Sequence, residues 1–171
     1  MRSTGLALAA ASLTIAAPVA AEEAPPRDYT AVSAATAPVA EAYFQAYTSR
    51  DWDALEGLLA DNATFRDPTA TLVFGGVESV GREAMMERFR LGYAGITHME
   101  FTPFRQIVSG DVALAEGALH WGLDLGEGHT VDSVTPMVIV LTLADGKVVE
   151  HRDYVDYAPF LAAVRKARAA G

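Results

Sequence analysis

The sequence predicts an α+β domain in which a curved antiparallel or mixed sheet wraps around N-terminal helices to form a cone. Three observations predict it. Apolar residues recur at helical spacing from Val39 to Leu59, the period falls to two at Ala63, and from about Phe101 to Val155 the chain reads as strands separated by glycine turns. Helices gathered ahead of hairpin-linked strands pack on one face of a sheet. A strongly twisted sheet of this length curls, and helices laid across its hollow leave an apolar interior suited to a ligand.

The first residues read as an export signal. Arg2 supplies a positive start, Leu6 to Ala17 is an uncharged apolar run, and Val19-Ala20-Ala21 offers small residues ahead of Glu22. Cleavage is expected after Ala21, which makes the protein periplasmic or secreted. The run is shorter than the ~20 residues a membrane span needs, and no later segment approaches that length. Residues 1–21 are therefore assigned to the signal. The Pro-, Ala- and Ser-rich residues 22–36 are assigned to a flexible lead, and 37–171 to a single domain. The chain has no cysteine, so burial rather than disulfides must hold it together. A formal charge of −9 disfavours phosphate backbones and anionic membranes, and neither a nucleic acid nor a membrane is an expected partner.

In chain order, Val39, Tyr43, Ala46 and Tyr47 share one helical face, and that helix breaks near Ser49. Asp51 can cap a second helix that buries Trp52, Leu55, Leu58 and Leu59, with Asp53 in its first turn at the positive end of the dipole. At Ala63 alternation begins. Ala63, Phe65 and Asp67 point one way and Thr64 and Arg66 the other until Pro68, so Asp67 continues an apolar face. A loop with Gly75, Gly76 and Gly81 leads to a helix whose Met85, Met86, Phe89 and Tyr93 share a face. Strands are expected at about 101–108, 112–123, 130–143 and 147–155, and a closing helix at 158–169.

From about Val39 to Val164 the chain resembles the nuclear transport factor 2 superfamily in its SnoaL-like branch. That branch includes ketosteroid isomerases, polyketide cyclases and limonene epoxide hydrolases. The resemblance rests on Tyr43 to Leu55, on Ala60-Asp61-Asn62-Ala63-Thr64-Phe65-Arg66-Asp67-Pro68, on Gly81-Arg82-Glu83-Ala84, and on the run from Gly146 to Asp156. Against the isomerase pattern it implies that Tyr43 is an oxyanion donor and Asp67 a general base, a logic established for ketosteroid isomerase itself. The third position of that pattern aligns near Ile139, and no carboxylate lies between Pro136 and Leu143. Against the epoxide hydrolase pattern, Asp153 matches the final-strand acid, while Gly117 and Leu119 stand where its arginine and second acid would be. The cyclase branch implies an Asp and a His that handle protons, here Asp153 with His151 or His120. Relatives commonly pair through the sheet, so the resemblance also implies a homodimer.

Read from the residues alone, alternation on the last strand places Val149, His151, Asp153 and Val155 on one face. On the preceding long strand Val112, Leu114, Glu116, Ala118 and His120 share a side that could turn to the same hollow. The candidate catalytic set is Asp67, Tyr43, Asp153, His151 and His120, and the candidate ligand-binding set is Trp52, Phe65, Met86, Phe89 and Trp121. Each residue also has a structural reading: Asp67 can brace the turn at Pro68, Tyr43 and His120 can be framework, and His151 with Asp153 can be a solvated pair. No histidine pair has metal-ligand spacing, no Ser or Cys lies in a nucleophile signature, and no glycine loop forms a phosphate cradle. No cofactor and no metal is expected. The expected partner is a small apolar molecule, either turned over by isomerase- or cyclase-type proton transfer or held without reaction.

Overall fold

The computed structural model describes residues 28–126 and 128–169; the expected signal peptide lies outside the described residues. Helix α1 (Tyr29–Ser49) starts earlier than periodicity suggested, so residues 29–36 are helical rather than part of a loose lead. Asp28 explains the start. Its carboxylate accepts from the N–H groups of Thr30 and Ala31 at 3.0 and 3.1 Å, capping the helix, which then continues through Pro38. Arg50 closes α1 in the left-handed region at φ 59°, and Asp51 caps α2 (Trp52–Leu58) by accepting from the Ala54 N–H at 3.0 Å.

Strand β1 (Leu59–Asp67) buries Ala63, Phe65 and Asp67, as alternation required. Beyond it the structure has three elements where only a glycine-containing loop is expected from the sequence. A single 3₁₀ turn (Pro68–Ala70) runs into a short α3 (Thr71–Phe74), and β2 (Val77–Val80) folds back antiparallel on β1. Helix α4 (Arg82–Gly92) then buries Met85, Met86 and Phe89. Long strands follow: β3 (Ile96–Ser109), β4 (Val112–Gly126), β5 (His129–Ala144) and β6 (Lys147–Val155), with α5 (Ala158–Ala169) closing the described chain.

The sheet order is β2-β1-β6-β5-β4-β3, with β1 parallel to β6 and every other pairing antiparallel. It is a curved, unclosed mixed sheet. α1 packs against β3 and β4, α4 against β1 and α5 against β5.

Two inward faces differ from simple alternation. On β6, Leu143 pairs with Val148 but Thr142 pairs with Glu150, so Val149 is the extra residue of a β-bulge. The inward set is therefore Val148, His151, Asp153 and Val155, and Val149 is not buried with them. On β4 the face is the opposite of the one expected. Ala113, Ala115, Gly117, Leu119 and Trp121 turn to the helices, while Val112, Leu114, Glu116, Ala118 and His120 turn outward. Both faces of β4 carry apolar residues, so hydropathy alone does not orient it. Close packing does: a Cβ at Gly117 would lie 2.6 Å from the inward ring of Phe101 and closer still to the Thr102 carbonyl oxygen.

Candidate functional site

Between the hollow of the sheet and its helices lies a cavity of about 230 Å³. Its apolar wall includes Phe65, Leu119, Trp121, Met137 and Val155, and two carboxylates, Asp67 and Asp153, reach it. Phe74 and Tyr157, from the short α3 and the segment before α5, meet at the cavity with ring centroids 5.7 Å apart, and Trp121 stacks on Phe160 at 4.7 Å.

Asp153 anchors a chain of buried polar groups. Its Oδ1 is 2.7 Å from His151 Nε2, and its Oδ2 accepts from the Tyr47 hydroxyl at 2.7 Å. The other ring nitrogen of His151, Nδ1, is 3.0 Å from the Tyr43 hydroxyl. With Asp153 as a carboxylate, which only accepts, this network assigns the proton of the neutral imidazole to Nε2, and Tyr43 then donates to Nδ1. The Tyr47 hydroxyl also meets that of Tyr93; since Tyr47 donates to Asp153, Tyr93 donates to Tyr47. His151 is fully buried, boxed edge-on by Tyr47 and Phe65 at 4.6 and 4.9 Å.

Asp67 is held differently. Its Oδ1 accepts from Thr69 N–H, Thr69 Oγ1 and Ala70 N–H at 2.9, 2.5 and 3.0 Å, and its Oδ2 accepts from the Tyr157 hydroxyl at 2.6 Å. It caps the turn after Pro68 and forms part of the cavity wall at once. The Thr69 hydroxyl also receives the Val155 N–H at 2.9 Å, tying that turn to β6.

The phenols around these acids are strongly perturbed. Burial, then the Asp153 charge, pushes Tyr43, Tyr47 and Tyr93 well above the usual phenol range; for Tyr157 the causes are burial, then its hydrogen bond to Asp67. All four remain protonated donors at neutral pH. Tyr93 and Tyr157 each feel both Asp67 and Asp153, which places the two carboxylates around one shared space.

The model of the SnoaL-like domain family matches residues 40–151, well over half of the chain. The chain belongs to the SnoaL-like domain family. A SnoaL-like polyketide cyclase candidate from Shewanella denitrificans OS-217 superposes on it with a TM-score of 0.68 at 18% identity, over 77% of this chain and 97% of its own. A protein of ketosteroid isomerase-like fold from Catenulispora acidiphila DSM 44928, in complex with trimethylamine, gives 0.62 at 22% identity over 75% and 92%. An LEH-like epoxide hydrolase of M. tuberculosis gives 0.57 at 20% identity over 84% and 97%. At these identities the likeness shows the fold alone, and it is the nuclear transport factor 2-like fold that the sequence resemblance implied. No curated protein sequence matches the chain significantly.

Within this SnoaL-like domain the expected site residues separate into three groups. Asp67, Asp153, Phe65 and Trp121 line the cavity. Tyr43, His151, Trp52, Met86 and Phe89 lie behind it: Trp52 stacks on Phe89 at 5.5 Å, and the Tyr43 hydroxyl is directed at His151 rather than at the cavity. His120 stands on the outer face of the sheet with His98 and Asp132, for the reason given for β4, and does not share the hollow with His151. Ile139, where the isomerase pattern expects its third acid, is the register partner of Asp153, so an acid does occupy that neighbourhood but from β6. The sequence reading missed Tyr47, Tyr93 and Tyr157 as functional groups. Tyr47 lies one turn beyond Tyr43 on the same helical face, the signal that could have found it.

Proposed function

We propose that this SnoaL-like domain is an exported, cofactor-independent enzyme that moves a proton on a compact apolar carbonyl compound, with Asp153 as the acid–base group. The observation that carries the reading is the donor count at Asp153. Among the described residues each of its carboxylate oxygens has one donor, which leaves a lone pair for a second, and the group sits at the wall of a cavity lined mainly by apolar side chains. Asp67, with three donors crowded on one oxygen, is occupied as a cap.

The chemistry follows from this geometry. The Asp153 carboxylate takes a proton from a carbon next to the substrate carbonyl, the C–H electron pair becomes the enolate double bond, and charge moves to the carbonyl oxygen. Tyr93, whose hydroxyl lies at the cavity and hydrogen-bonds only to Tyr47 among the described residues, turns to donate to that oxygen. His151 and Tyr47 hold the carboxylate in place throughout. Asp153 then returns the proton to a different carbon in an isomerisation; in a cyclisation the enolate carbon bonds to a second carbonyl carbon, the π pair of that carbonyl moves to its oxygen, and the oxygen takes the proton from Asp153. The cavity falls below the ~300–1,000 Å³ of drug-sized sites, which suits one or two rings better than a four-ring skeleton. Arg88 brings a guanidinium to the rim, bound to Ser79 Oγ at 2.6 Å and the Glu78 carbonyl at 2.9 Å, where it can meet a substrate oxygen.

A second reading is a module of the same fold that holds an apolar molecule without turnover. It is favoured by Asp67, the group that the isomerase pattern makes the base, being tied into the turn by three donors on Oδ1 and to Tyr157 through Oδ2. A panel of compact unsaturated ketones and polyketide-like diketones separates the two. Turnover by the wild-type chain that is lost in Asp153→Asn supports the enzyme. Ligand-induced thermal stabilisation with unchanged ketone supports the module, and turnover indifferent to Asp153→Asn ends the proposed role of Asp153.

The same reading includes cleavage after Ala21, supported by the apolar run before it, and pairing of two copies through the outer sheet face, which exposes Ile107, Val134 and Tyr154. The mass of the exported chain and light scattering check these two points. A retained leader or a monomer at micromolar concentration contradicts them.

A further inference from the structure

The outer face of the sheet carries a polar group unrelated to the cavity. His98 of β3, His120 of β4 and Asp132 of β5 meet across three neighbouring strands. His98 Nε2 is 2.9 Å from Asp132 Oδ2, His120 Nε2 is 3.0 Å from Asp132 Oδ1, and the two Nε2 atoms are 3.4 Å apart. Register brings them together, since His98, Gly122 and Asp132 form one cross-strand row and His120 lies two residues along β4 on the same face. Gly122 leaves the necessary room. A Cβ there would lie 2.5 Å from Cε1 of His98 and would also strike Thr97, so only a residue without a side chain lets the imidazole approach His120.

We propose that these three side chains form a binding site for a divalent transition metal, for which zinc is the probe. Zinc–nitrogen bonds of ~2.0–2.1 Å in a tetrahedron put neighbouring ligand atoms ~3.3–3.4 Å apart, the separation of the two imidazole nitrogens here. Two imidazoles and one carboxylate are a donor set that suits such an ion, and all three donor atoms lie within 4.8 Å of one another. Without metal, the Nε2–H groups of both histidines donate to the one carboxylate. With metal, those two protons leave to solvent and the nitrogen lone pairs and a carboxylate oxygen bind the ion. His98 Nδ1 sits 3.3 Å from Thr97 Oγ1, a polar partner for the ring nitrogen that faces away from the ion. In the single chain, side-chain exposures of 43%, 45% and 63% leave the three ligands accessible, and Glu100, the register partner of His120, or water completes the coordination. The ion would clamp β3, β4 and β5 from the side opposite the cavity.

The test uses the full chain, stripped with a chelator and titrated with zinc sulfate by calorimetry, with thermal melting followed by circular dichroism. One zinc per chain and a raised melting temperature are expected. His120→Ala and Asp132→Asn should keep the metal-free spectrum and melting temperature and lose roughly 10–100-fold or more in affinity. Gly122→Ala, which retains all three ligands but displaces His98, should also weaken binding. Cobalt titration of the wild-type chain gives a readout independent of any variant, a visible band of four-coordinate cobalt. Absence of zinc binding, absence of that band, or equal affinity in wild type and both ligand variants overturns the site and leaves a surface hydrogen-bonded cluster.

Discussion

Asp67 and Asp153 lie around one cavity, yet their partners differ, and so do the expected consequences of removing them. Asp67→Ala strips the cap from Thr69 and Ala70 and orphans the Tyr157 hydroxyl; a loss of about 2–4 kcal/mol is expected, read as a lower urea midpoint at unchanged slope. Tyr47→Phe removes one buried donor from Asp153 and should cost about 1–3 kcal/mol in the same measurement. The acids and His151 were legible because strand alternation reports which side chains share a face. The phenols were not legible. Tyr47 and Tyr93 are visible in the sequence only as apolar-face residues, and whether a hydroxyl on such a face meets an acid depends on strands more than forty positions away. The His98, His120 and Asp132 cluster was hidden likewise, since its members are ligand-spaced across strands and not along the chain.

At the level of elements, the Asp51 cap of α2, the end of β1 at Pro68 and the three late hairpins could all be read locally, whereas the Asp28 cap of α1, inside a Pro-, Ala- and Ser-rich stretch, could not. What failed was orientation wherever a strand carries apolar residues on both faces, as β4 does, and register wherever a bulge intervenes, as at Val149. β2 was missed because four residues between glycines carry little periodicity; it exists by pairing with β1. Packing at β4 gives a contrast that can be measured. Gly117→Ala forces a methyl into the Thr102 backbone and the Phe101 ring and should destabilise by roughly 1–3 kcal/mol. Gly57→Ala, in α2 with nothing within 4 Å, should stabilise by roughly 0.5–1 kcal/mol. Equal effects of the two substitutions on the denaturation midpoint would contradict the assignment of the inward face of β4.

For the whole molecule, the phenols couple the site to stability at alkaline pH. Tyr43, Tyr47, Tyr93 and Tyr157 have folded pKa values raised above the ordinary phenol value of 10.0, so above that pH the unfolded chain releases protons that the native chain keeps. Their contribution is therefore fully present below about pH 10 and is lost as pH rises beyond it. Denaturant midpoints should fall steeply above about pH 10, and the tyrosinate absorbance of these four groups should appear together with loss of structure, not before it. Their gradual ionisation in a native chain would show that water reaches the hollow freely. Hydrogen exchange reports whether the hollow brings Asp153 to a substrate carbon next to a carbonyl, without requiring the natural product to be known. A compact ketone incubated with the protein in deuterated water and followed by proton NMR should exchange its hydrogens next to the carbonyl faster than in buffer. The acceleration should fall about 10²–10⁴-fold in Asp153→Asn, toward the buffer rate, and persist in Asp67→Asn. Exchange at the buffer rate with wild-type protein, or an acceleration that survives Asp153→Asn, would contradict the account.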